Sequence, residues 1–199
     1  MNDVAVEVLT KDAAREQFNH WTKVLDLKHT FSFDEVYDLL MERRLAKQKQ
    51  TEFRQNIVKF EEKMRQVPGC LGPDPFPLTH NFADGTYIRQ LTCPARTLTV
   101  TKIHAQTHAF FLLKGTISIL TEEGVRKLTA PYSGITKAGT KRIIFHHDEV
   151  IFTTVHSTKE TDLDKIEAEV IAKDFGELED KLEQTKIEQF LELVSKEED

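Results

Sequence analysis

Three regimes of hydrophobic periodicity follow one another along the chain. Behind Thr10, Phe18, Trp21, Val24 and Leu25 recur at helical spacing and predict an amphipathic helix from Lys11 to about Leu27. Ser32-Phe33-Asp34-Glu35 is a capping box, which predicts a long helix from Phe33 to about Gln66, stopped by Pro68-Gly69. Val36, Leu39, Ala46, Phe53, Ile57, Phe60, Met64 and Val67 form a seam of alternating three- and four-residue steps, interrupted by Arg43 and Gln50. Such a seam buries against another helix, in the same chain or in a second subunit. From His80 to His156 the period falls to two. Short apolar runs alternate with turn residues and predict strands near 86–91, 97–104, 109–113, 116–121, 125–130, 134–137, 141–146 and 150–156. Helical spacing then returns. Thr161-Asp162 caps a helix to Ile171, and a second helix runs from about Gly176 to Val194.

These regimes divide the chain into a helical segment over 1–66, a Pro/Gly-rich linker over 67–79, a β-barrel or sandwich over 80–157 and C-terminal helices over 158–199. The linker VPGCLGPDPFPLT holds four prolines and two glycines, which rules out a helix or a central strand there. The fold class is α+β, with one antiparallel β unit of many short strands. Val100, Phe110, Leu112 and Ile144 are the expected interior residues.

Composition narrows the function classes. The chain has 199 residues and a net charge of −6. Lys159 to the end holds 15 acids against 6 lysines, a net −9, so the preceding residues carry +3. The acidity belongs to a solvated helical tail. No basic stripe with interleaved aromatics occurs, which argues against nucleic-acid binding. No apolar run is long enough to span a bilayer, and the start of the chain lacks the features of a signal peptide, so a cytoplasmic location without membrane attachment is expected. Cys70 and Cys93 are too few for a disulfide framework and too far apart for a metal pair.

The candidate chemistry lies in LTVTKIHAQTHAFFLLKGTISI, residues 98–119. A strand ends in His104, three residues intervene before His108, and Gly115 follows the next strand. This spacing brings two imidazoles to one end of a small barrel, and neutral imidazole is a common metal ligand. Alternation adds others: if Arg142 points inward, so do Ile144 and His146. His156, near the end of the last strand, is a further inward candidate.

The same residues resemble the cupin motifs. Set on Gly115, the first motif places His108 at the glutamate position, His104 at the second histidine and Lys102 at the first. In the second motif, Lys137-Ala138-Gly139 stands for the Pro-X-Gly turn and Arg142 for its histidine. A closer resemblance, over about His80 to Ile171, is to functionally uncharacterised cupin-like proteins encoded mainly by bacteriophages. It implies a cupin-like jelly roll and a phage source, and no activity. A phage protein of this kind would lie in the host cytoplasm or in the virion.

Three functions follow as expectations. The first is a non-catalytic assembly or binding module whose long helices make a homo-oligomer or engage other phage or host proteins. The second is a metal-dependent enzyme in which His104, His108 and His146 hold zinc, iron or manganese with positions left open. The third is a metal-free pocket in which Lys102, His104, His108, Arg142 and His146 bind a small anion. Cations at positions 102 and 142 oppose the second and favour the third. A purely structural role, with Arg142 paired to a buried acid or carbonyls, uses the same residues.

Overall fold

The structure is a computed structural model that describes residues 10–24, 32–72 and 75–195. The side chain of Trp21, and Leu25 to Leu27 at the predicted end of the first helix, lie outside the described residues. The chain forms two compact units, divided between Glu52 and Phe53.

The first unit contains α1 (Lys11–Val24) and the first half of α2 (Phe33–Arg65). The capping box forms as its residues require: the Ser32 amide donates to Glu35 Oε2 at 2.7 Å, and the Glu35 amide donates to Ser32 Oγ at 3.3 Å. Phe18 meets Phe33 edge-on at 5.6 Å, Arg15 lies over the Phe33 ring, and Asp34 pairs with Lys11 and Arg15.

The second unit is the β unit with its flanking helices. Its strands are β1 (Leu78–Ala83), β2 (Thr86–Cys93), β3 (Thr97–Val100), β4 (Ile103–His104), β5 (His108–Lys114), β6 (Thr116–Thr121), β7 (Gly124–Thr129), β8 (Tyr132–Thr136), β9 (Ile143–His146) and β10 (Val150–Ser157). Then come α3 (Leu163–Val170), β11 (Ile171–Ala172) and α4 (Phe175–Ser195). One antiparallel sheet has the order β1-β2-β10-β5-β8, a second β3-β9-β6-β7, and β4 and β11 pair separately. The two larger sheets share a core: Cys93, Phe110, Leu112 and Val150 from the first pack with Ile117, Ile119, Leu128 and Ile144 from the second. At roughly 1.5–3 kcal/mol for each large apolar side chain buried, this layer holds the two larger sheets together. The fold is α+β with a jelly-roll arrangement of antiparallel strands.

Phe110, Leu112 and Ile144 face this core as expected. Val100 does not belong to it. Thr99 opposes Ile144 in the ladder and shares its face, so Val100, opposite Ile143, turns to the other side. The strand predicted over 97–104 is two strands, because the ladder of β3 ends at Val100 and pairing resumes at Ile103 with a new partner, β11.

Register arranges the inner face of the five-stranded sheet in rows. One row reads Leu78, Leu91, Phe152, Leu112 and Tyr132. The next reads His80, Arg89, Thr154, Phe110 and Gly134. The third begins Phe82, Tyr87 and His156, and His108 opposite Thr136 completes it. The inner face of this sheet is therefore apolar at one end and rich in imidazole and guanidinium at the other.

Candidate metal centre

His108 opens β5, and His156 lies next to the end of the neighbouring strand β10. His104 arrives from β4, held between two partners. Its carbonyl accepts from the Gly139 amide at 2.7 Å, and its strand pairs with β11 through His104 and Ile171. Ring centroids are 4.3 Å apart for His104–His108, 4.3 Å for His108–His156 and 6.0 Å for His104–His156. One ring nitrogen from each of the three lies within 4.8 Å of the others, the one such group among the described residues.

The rings are neutral, and burial is the first cause. His104 is pushed well below its ordinary value by desolvation, then by the charges of His108, His156, Arg142 and Arg89. Burial lowers His108 as well, Arg142 adds to this, and the hydrogen bond to the Gln106 carbonyl works the other way. His156 is lowered to about 4 by burial, then by His108 and Arg89. In His108, Nδ1–H donates to the Gln106 carbonyl at 3.2 Å, which leaves Nε2 with a free lone pair. Nδ1 of His104 and Nδ1 of His156 are buried without a hydrogen-bond partner. Orphaned nitrogens of this kind are costly in an apolar surrounding and are satisfied by a cation that accepts their lone pairs. The donor set of three neutral imidazoles, with no carboxylate, suits zinc or iron better than manganese, which prefers oxygen. The residues present fit a metal ion.

The other residues expected at the site are distributed differently. His146 does not join His104 and His108. It shares the inward face with Arg142 and Ile144, as alternation requires, but it lies four residues further along the strand, at roughly 3.3 Å each. There it opposes Thr97 and Ile117, buried at the other end of the core, and burial lowers its pKa to about 4. His156 takes the third place. Lys102 also lies outside the cluster: its ammonium pairs with Glu167 of α3 at 2.7 Å. The ladder break at residues 101–102 uncouples its direction from that of His104. Arg142 is 7% exposed, donates to Thr136 Oγ1 and stands 5.3 Å from the centre of the Phe110 ring. Arg89, opposite Thr154, was not foreseen as part of the site, and the signal for it was available: residues 87, 89, 91 and 93 share one face of β2.

No family model and no curated protein matches the chain. Among solved structures, it is similar to ectoine synthase from P. lautus, at 12% identity, covering 54% of this chain and 82% of that one, with a TM-score of 0.41. It is similar to the cupin domain of Schizosaccharomyces pombe Cnp3, at 15% identity over 51% of this chain and 76% of that one, with a TM-score of 0.37. It is also similar to a cupin-2 domain protein from Shewanella frigidimarina, at 11% identity over 52% of this chain and 97% of that one, with a TM-score of 0.36. At these identities and TM-scores the likeness carries no conclusion about this chain. Among the described residues, no helix of the chain is long and apolar enough to cross a membrane.

Proposed function

We propose that the protein is a metal-binding cupin-like module whose barrel holds one divalent transition metal on His104, His108 and His156. The observation that carries this reading is the convergence of three imidazoles, those of His108 and His156 buried and that of His104 partly so, with the Nδ1 atoms of His104 and His156 buried and unpartnered. A zinc or iron ion bound by three nitrogens keeps positions open and acts there as a Lewis acid toward water or a small ligand. The Gln106 carbonyl fixes the tautomer and ring direction of His108, as a second layer of hydrogen bonding does in metal sites generally. The His156 ring is steadied by Thr154 Oγ1 at 3.2 Å and by Tyr87, whose hydroxyl meets His80 Nδ1 at 2.7 Å. Burial keeps all three rings unprotonated at neutral pH, the state in which they bind metal.

Elemental analysis of protein purified without chelator and reconstituted with zinc or iron(II) tests the assignment. About one equivalent is expected in the wild type, with substantial loss in His108→Ala and His156→Ala and retention in His146→Ala. Less than about a tenth of an equivalent after reconstitution overturns it. Retention in His156→Ala with loss in His146→Ala would restore the ligand set expected from alternation.

A further inference from the structure

Arg142 is a buried guanidinium without a counter-ion. It is 7% exposed and makes no ion pair with any described carboxylate. Its contacts are the Thr136 hydroxyl, which accepts one of its five N–H bonds, and the Phe110 ring. Burial lowers it only to about 10, so it remains a cation at neutral pH. Its position is set by register. Thr136 opposes His108, and Phe110 follows His108 by two residues on the same face. The guanidinium therefore stands beside the imidazole cluster, and its field lowers both His104 and His108. Arg89 lowers His104 and His156 in the same way from the opposite strand of the sheet. The inner-face rows around the cluster contain no Asp or Glu to offset the charge of Arg142. A desolvated charge of this kind is stable only with an opposite charge close by.

We propose that Arg142 is the anchor for a small carboxylate that lies between the guanidinium and the three imidazoles. The inference rests on the metal reading for the second contact of that carboxylate, and on Arg142 alone for the first. The chemistry selects the class. A guanidinium lying over an aromatic ring, with one donor taken by Thr136, offers a planar fork to a planar two-oxygen group. Lysine would supply the charge without the fork.

The test uses the full chain, metal-free and loaded with cobalt(II), titrated with acetate, inorganic phosphate and chloride. The readouts are the thermal midpoint of both forms and the visible spectrum of the cobalt form. Acetate is expected to raise the midpoint and shift the cobalt bands, because a ligand specific to the native state stabilises it by mass action. In Arg142→Gln the apparent acetate affinity should fall at least about tenfold with cobalt content unchanged, the loss expected for a charge-assisted hydrogen bond. Arg142→Lys, which preserves the charge should the glutamine variant fold poorly, should be intermediate. Acetate binding that is absent from the wild type, or equal in all three proteins, overturns the anchor. Binding of phosphate alone overturns the carboxylate class. Failure of the metal reading is separately visible as a protein that takes up no cobalt. An Arg142-dependent acetate shift in such a protein would keep the anchor while removing the metal.

Discussion

At the scale of single residues, buried histidine dominates. His146 and His156 titrate at about 4 in the native chain, and His104 and His108 are lowered too, whereas unfolded histidine titrates near 6.5. Between those values the unfolded state binds more protons, so stability rises with pH across the window. It is fully present above about 6.5 and is lost as pH falls toward about 4, with each ring held to about 4 worth at most roughly 3 kcal/mol. Urea unfolding of metal-free protein should show a clearly lower midpoint at about pH 5 than at about pH 7.5. A flat profile would mean that these rings are charged or exposed. His146→Gln should remove part of the slope without changing metal content, since His146 lies away from the cluster. His104 and His108 were legible from their spacing in the sequence. The third member, His156, was legible only as an inward candidate, and His146 was preferred to it. Alternation correctly placed Arg142, Ile144 and His146 on one face, but a shared face says nothing about distance along a strand.

At the scale of elements, turns decide where strands cross between the sheets. Gly115 joins β5 to β6 with φ at +85°, a conformation glycine adopts freely. A Cβ there would come within 2.5 Å of the Glu149 carbonyl oxygen and 2.9 Å of Val150 Cγ2. Both are fixed, one as backbone and one in the core. Gly115→Ala should therefore cost about 2 kcal/mol or more, measured as a lower denaturant midpoint. An unchanged midpoint would show that the turn relaxes. Most elements were readable from periodicity: the capping box, the helix it starts, the turn residues and the strands from β5 to β10. Two were not. β1 follows a run of prolines that argued for a linker, yet a strand at the edge of a sheet tolerates such a neighbour. β11 has two residues, too few for any period.

For the molecule as a whole, α2 presents another exposed feature. Leu39, Leu40 and Leu45 are each more than half exposed. A homo-oligomer formed through this helix is proposed on that ground, since exposed apolar side chains along one element favour a partner. Sedimentation equilibrium at tens of micromolar, on the order of the weaker stable contacts, should detect a dimer that Leu40→Glu with Leu45→Glu dissociates. A strict monomer in the wild type would remove the proposal.

The two-residue ladder between β4 and β11 has a further consequence. Two of the three imidazoles sit on long strands of the five-stranded sheet, whereas the third is held on one side by the backbone of Gly139 and on the other by a segment that the chain reaches only after α3. Loading the centre and docking the C-terminal segment after Ser157 are then linked equilibria. Chelation should loosen the residues after Ser157 before the two larger sheets melt, exposing them to protease and to amide exchange, and a chain cut there should keep its jelly roll yet grip metal more weakly, its third ring secured on one side only.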